Sequence, residues 1–230
     1  MKKKGSKSSQ SFWEKEYKNS GHLALSTNPS EDLEKFTNWL EKEHGRKYLN
    51  PIASVLDIGC GNGRNLIYLT KTFGMRGVGY DISGEAISQA ISSSRDLPLK
   101  YETRSIAGDI ILPDNSQTIV LDMMASHFLN EEERKHLISE ITRVLKPGGW
   151  LFFKTFLLDG DKHAERMLRE NPANEEGSYI HPLMRVAEHV FTEEEIEEVL
   201  TENFTIYKIV KSRQHRQGKR RSISVYAQKQ

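Results

Sequence analysis

The sequence has a single cysteine, Cys60, so no disulfide can close within these 230 residues, and a reducing compartment is the expected setting. It has no apolar run long enough to cross a bilayer. It has no excess of either charge: 33 Lys and Arg stand against 32 Asp and Glu, for a net charge of +1. No global field therefore draws it to nucleic acid or to an acidic membrane surface. The basic start, MKKKGSKSSQS, is followed by no apolar segment and does not read as a secretory signal. No self-similarity recurs at a period of roughly 20–50 residues, which excludes solenoids and propellers. These absences point to a cytoplasmic globular protein. What is present agrees: 37% hydrophobic and 28% charged residues suffice for one large domain with a core under a solvated surface.

The most informative stretch is VLDIGCGNGRN, residues 55–65. An apolar run ends in Asp57 and Ile58. Glycines follow at alternate positions, Gly59, Gly61 and Gly63, and the chain then opens into a helical pattern at Arg64. A strand, a glycine turn and a helix N-terminus in this order form a site for a nucleoside-bearing ligand. Glycine allows backbone angles closed to other residues and lets the chain approach a ligand with no Cβ in the way. The spacing Gly-x-Gly-x-Gly differs from the Gly-x-Gly-x-x-Gly of dinucleotide enzymes, which disfavours a dehydrogenase.

This stretch resembles the first motif of the Rossmann-like (class I) S-adenosylmethionine (SAM) dependent methyltransferases, and LKPGGWLFF (residues 145–153) resembles the helix-to-strand turn of the same family. The match spans about Ser54 to Phe156. The FW-x3-Y start, Phe12-Trp13 and Tyr17, is similar to the small tellurite-resistance, thiopurine and type 11 enzymes. The resemblance implies a doubly wound α/β fold: a seven-stranded, mostly parallel sheet of order 3-2-1-4-5-7-6, its last strand antiparallel, with helices on both faces. The strand and helix patterns fit it. Strands are expected at 54–58, 77–80, 99–103, 118–124, 150–156, 204–210 and 222–227. Ser30, Asn130 and Thr192 are placed to cap the helices that follow them, the last two with a glutamate three residues on. Residues 1–11 are expected to be disordered and 12–230 to form one domain. Within it, 12–50 is an N-terminal helical lid and 158–190 a substrate-side insertion, where the pattern breaks.

The resemblance also implies the site. SAM is the cofactor. The loop Asp57, Gly59, Cys60, Gly61, Asn62, Gly63 and Asn65 runs beside its amino-acid part. Asp81, eighteen residues past Gly63 at the end of the second strand, accepts from the ribose hydroxyls, with Ile82 beside it. Gly108, Asp109 and Ile110 face adenine, Asp109 through its exocyclic amine. Met124, Trp13 and Tyr17 complete the cofactor contacts. Trp13 and Tyr17 share a helical face, which fits a lid as well as core packing. His127, just past the fourth strand, is the candidate base for an acceptor proton, with a scaffold role as the alternative. No metal is expected, because His163, His181 and His189 lie too far apart in sequence to form a compact ligand pair. Asp122-Met123-Met124-Ala125 stands where an Asn-Pro-Pro-Tyr-like tetrad would mark amino-group methylation of bases. That argues against such base methylation, and the resemblance to the small tellurite-resistance and thiopurine enzymes, in brevity and in the FW-x3-Y start, implies a small-molecule acceptor, on a monomer or homodimer. The alternatives are a protein side chain, RNA, or a non-catalytic SAM-binding role. The basic link 213–221 suits a solvated hairpin tip better than a phosphate site.

Overall fold

The computed structural model describes residues 4–19, 21, 25–212 and 220–230. Five strands run parallel: β1 (Ser54–Ile58), β2 (Arg76–Asp81), β3 (Leu99–Thr103), β4 (Gln117–Met123) and β5 (Leu145–Phe156). Two short strands, β6 (Ser178–Ile180) and β7 (Ala187–His189), pair only with each other. β8 (Phe204–Lys211) and β9 (Ser222–Lys229) then close one edge antiparallel, giving the order β3-β2-β1-β4-β5-β9-β8. With the small β6–β7 sheet set aside, this is the expected 3-2-1-4-5-7-6 arrangement.

Side chains alternate across the sheet, as the two-residue period of a strand requires. Val55, Ile119, Leu121, Trp150 and Phe152 face one side. There they meet α2 (Glu31–His44) through Leu33, Phe36 and Leu40, and α3 (Arg64–Phe73) through Leu66 and Leu69. Leu56, Val120, Leu151 and Phe153 face the other side, against Leu137 and Ile141 of α5 (Glu131–Val144) and Ile196 and Leu200 of α7 (Glu193–Thr201). The central strands are thus buried on both faces, which is why they read as near-continuous apolar runs.

Four local expectations change. Leu33, Phe36 and Leu40 are fully buried, so α2 belongs to the core, and α1 (Lys4–Lys18) is the helix that precedes it. α1 itself begins at Lys4 and so takes in most of the segment expected to be disordered. The Ser30 side chain does not cap α2; its backbone N–H instead donates to Asn65 Oδ1 at 3.1 Å, tying this turn to the glycine loop. The capping box at Asn130 and Glu133 is complete, and Thr192 accepts from the Glu195 N–H. β5 starts five residues early, at Leu145. A register shift against β4 between Gln117 and Ile119 absorbs the Pro147-Gly148-Gly149 turn. Residues 213–219 of the basic link lie outside the described residues.

Candidate functional site

A cavity of about 840 Å³ opens beyond the C-terminal ends of β1, β2, β4 and β5, where ligands bind in open α/β sheets. Its floor is the glycine loop. Gly59 and Cys60 both donate to Tyr80 O, at 2.8 and 2.9 Å, which anchors the loop to β2. Gly59 sits at φ 70°, and a Cβ there would lie 2.6 Å from the Ala125 Cβ. Gly61 sits at φ 55°, and a Cβ there would lie 2.2 Å from the Tyr17 hydroxyl. Both positions combine a left-handed backbone with close approach, which only glycine tolerates. Asn62 Nδ2 donates to Ser26 O at 3.1 Å and Arg64 to Asn28 O at 3.1 Å, so residues 26–30 wrap the loop from outside.

Asp81 ends β2 at the cavity wall. Its Oδ2 accepts from Gly61 N at 2.8 Å and its Oδ1 from Ser83 N at 2.9 Å. Each carboxylate oxygen retains acceptor capacity toward the cavity. Burial raises its carboxyl above the usual range, although these backbone hydrogen bonds work against the shift. Burial, and then the charge of Asp81, push Asp57 up to about 8. Asp57 is 1% exposed and lies beneath the loop, not on the cavity wall.

Trp13 and Tyr17 line the cavity together, as their helical spacing implies, and the Trp13 ring meets that of Phe128 edge-on at 5.5 Å. The insertion contributes Ile180, Arg185, Val186 and Ala187 from the opposite side. Gly59, Cys60, Gly61, Asn62, Asn65, Ile82 and Met124 also line it. Met124 holds φ 64° where β4 turns away from the sheet.

Other expected contacts are not brought here. Gly63 caps α3, facing the Tyr101 hydroxyl and Ala90. Gly108, Asp109 and Ile110 lie off the cavity because Glu140 and Arg143 of α5 hold that segment. Ile110 N donates to Glu140 Oε2 at 2.7 Å and Arg143 donates to Ile110 O at 2.7 Å. Asp109 turns outward, 77% exposed, and bonds His136 Nε2 at 3.0 Å. The stretch after β3 that lines the cavity is instead Arg104, Ser105, Ile106 and Ala107.

His127 is also misplaced for a base. β4 runs into a single 3₁₀ turn, Ser126–Phe128, held by the Ser126 N–H donating to Asp122 Oδ1 at 3.1 Å. With three residues per turn, Ala125 and Phe128 share the cavity face while His127 points inward. Its ring is 2% exposed and packs on Phe128 and Phe156, and among the described residues neither nitrogen has a hydrogen-bond partner. Burial lowers its pKa to about 4. A histidine held neutral in the fold adds stability above its unfolded pKa, about 6.5, and that stability is lost as pH falls from there toward 4. His127→Gln, which stays neutral, should therefore remove on the order of 3 kcal/mol of the parent's stability loss between pH 7 and 4. It should leave affinity for S-adenosylhomocysteine unchanged. Urea unfolding at both pH values and calorimetry test this; a drop in affinity would return His127 to the site.

Lys154 is a site residue that sequence reasoning missed. It is the one charge in the β5 run WLFFKTF, pairs across from Met123, and reaches Asp32 of α2 at 2.6 Å. Burial opposes ionisation of Asp32, but Lys154 and Lys35 hold its carboxyl below the usual range. A lone lysine at the C-terminal end of a buried central strand was the available signal. Phe128, Arg104 and Arg185 carried none.

The family model described as a methyltransferase domain matches residues 55–149. A SAM-dependent methyltransferase structure from Methanosarcina mazei is 26% identical, with a TM-score of 0.69 over 80% of this chain and 95% of that one. The Burkholderia thailandensis 1,6-didemethyltoxoflavin N1-methyltransferase, solved with S-adenosylhomocysteine, is 17% identical. It shares the fold at a TM-score of 0.71 over 97% of this chain and 88% of that one. An uncharacterized methyltransferase of Synechocystis is 31% identical over 101 residues, 44% of this chain and 46% of that protein. The chain spans about half the length of the curated relatives it matches.

Proposed function

Since this chain belongs to the Rossmann-like, SAM-dependent methyltransferases, we propose that it binds SAM from the glycine loop to residues 104–107 and moves the methyl group to a small molecule under the insertion. The backbone of Gly59 to Asn62 takes the amino-acid part of SAM. Asp81 accepts from the ribose diol, and Ile82 and Ile106 enclose the adenine. When bound, SAM supplies a methyl group already activated on a sulfonium, with a neutral thioether as leaving group. The chemistry it would supply is methyl transfer to the acceptor's lone pair with the carbon–sulfur pair remaining on sulfur, and a nitrogen or oxygen acceptor would lose its proton to water at the cavity mouth.

The chain's part is positioning. The wall formed by Met123, Met124, Ala125 and Phe128 fixes the approach to the methyl group, and α1 and the β6–β7 turn limit water. Orientation of this kind supplies several powers of ten without a strong base. This matters here because the one candidate base, His127, faces away. The observation that carries the reading is the continuous cavity that joins the glycine loop and Asp81 to a roof of two segments. At about 840 Å³ it lies in the upper part of the roughly 300–1,000 Å³ range of small-molecule sites. That supports a small acceptor beside the cofactor. Incubation with methyl-labelled SAM and a cell extract split into small-metabolite, RNA and protein fractions tests it. Label should enter the small-metabolite fraction. Label confined to RNA or protein would overturn the acceptor class, and no transfer together with no SAM binding would overturn the activity.

A further inference from the structure

Six charged side chains line the cavity: Arg64, Asp81, Arg104, Glu133, Lys154 and Arg185. Five are engaged. Arg64 donates to Asn28 O, Asp81 accepts from two backbone N–H groups, and Arg104 pairs with Glu102 at 3.1 Å. Glu133 closes its capping box with Asn130, and Lys154 is bound to Asp32. Among the described residues the Arg185 guanidinium has neither a hydrogen-bond nor an ion-pair partner.

Its backbone is nevertheless firmly built. Arg185 holds φ 58°, a conformation non-glycine residues rarely adopt and one that persists only where the surroundings impose it. The turn 181–186 imposes it. Arg185 N donates to His181 O at 2.8 Å and His181 N to Val186 O at 2.9 Å. The His181 ring Nδ1 accepts from Leu183 N at 3.3 Å and Met184 N at 3.2 Å. Downstream, β7 packs on the Ser126–Phe128 turn. That places Arg185 over the β4 end of the cavity, away from β2 and β3, whose ends take the ribose and adenine in the proposed reading. The surroundings are apolar: Phe128, Leu129, Ile180 and Val186 line the same part of the wall, and Leu183 stands 68% exposed at the turn's tip.

We infer that Arg185 is the acceptor-specificity residue of this site, reading an oxyanion (a carboxylate or phosphate monoester) on an acceptor whose remaining body is apolar. The inference rests on the proposed methyl-transfer reading. A planar guanidinium with its donors free matches a carboxylate or phosphate in bidentate fashion, which a lysine cannot do. Arg185 is itself exposed, which leaves its donors open to an incoming anion, and the apolar lining takes up the rest of the acceptor.

The test is binding to the full chain saturated with S-adenosylhomocysteine, by calorimetry, with three probes of one shape: 1-naphthoate, 1-naphthyl phosphate and the neutral 1-naphthamide. The parent should bind naphthoate or naphthyl phosphate at least roughly tenfold more tightly than the amide, the scale of a hydrogen bond to a charged group. Which anion binds better identifies the source of the oxyanion. Arg185→Ala should bring the anion-to-amide ratio to about one, and Arg185→Lys should restore part of it. S-adenosylhomocysteine affinity should change less than twofold in both variants. Equal binding of anion and amide by the parent, or no anion binding up to the solubility limit, would overturn the inference. So would a larger loss for S-adenosylhomocysteine than for the anion in Arg185→Ala, which would assign the guanidinium to the cofactor's own carboxylate. Failure of the parent to bind S-adenosylhomocysteine would instead sink the methyl-transfer reading itself.

Discussion

Asp81→Ala is expected to weaken S-adenosylhomocysteine binding by between about ten- and a hundredfold. The carboxylate does two jobs in the structure. Facing the cavity, it has acceptor capacity that the proposed reading assigns to the ribose hydroxyls, and hydrogen bonds to a charged group contribute roughly 1.5–3 kcal/mol each. Facing the loop, it holds Gly61 N at 2.8 Å and Ser83 N at 2.9 Å, so its removal also frees the middle of the glycine turn. Each 1.4 kcal/mol is about a factor of ten in affinity, which sets the range. Asp81→Asn keeps the size but turns one acceptor into a donor, and it should fall between parent and alanine. Calorimetry at neutral pH reads both. An Asp81→Ala protein that binds as tightly as the parent would move the ribose contact elsewhere.

Gly59→Val should cost more, and in the fold as well as the ligand. The new Cβ lands 2.6 Å from the Ala125 Cβ, an atom fixed to the backbone that cannot swing aside, and φ 70° is among the worst conformations for a branched residue. Strain and overpacking each contribute roughly 1–3 kcal/mol. A combined loss of roughly 2–6 kcal/mol in urea unfolding is expected, together with loss of measurable S-adenosylhomocysteine binding. Gly108→Ala is the matched control. Nothing lies within 4 Å of its Cβ and the residue is off the cavity, so stability and affinity should both hold. A Gly108→Ala change that weakened binding would restore the adenine role expected from the motif.

The contrast between these glycines shows how far the sequence could be read. The central strands were legible because β1, β4 and β5 are buried on both faces and carry almost unbroken apolar runs between glycine and proline turns, while their order came from the family resemblance. The places of the glycine loop and Asp81 at the cavity were legible because backbone geometry at strand ends sets them, and spacing records that geometry directly. Asp109 and His127 failed for the opposite reason. Each sits a few residues past a correctly placed strand, six for Asp109 after β3 and four for His127 after β4, and what decides its direction is not local. Arg143 and Glu140, more than 25 positions away, pull residues 108–110 toward α5. One turn of 3₁₀ helix, not a continued strand, rotates His127 away from the cavity. Arg185 was invisible because its left-handed backbone comes from hydrogen bonds to His181 inside an irregular insertion, where no periodicity exists to read.

The central claim, that the cavity from the glycine loop to residues 104–107 is a SAM site closed by α1 and the insertion, is tested most directly by hydrogen exchange with and without S-adenosylhomocysteine. Slower exchange is expected at residues 59–65, at Asp81 to Ser83, at 104–107, and at the two roof segments, 12–17 and 180–187. Residues 108–110, held by α5, should not change. Protection at 108–110 in place of 104–107, or a glycine loop that exchanges at the same rate with saturating ligand, would contradict it.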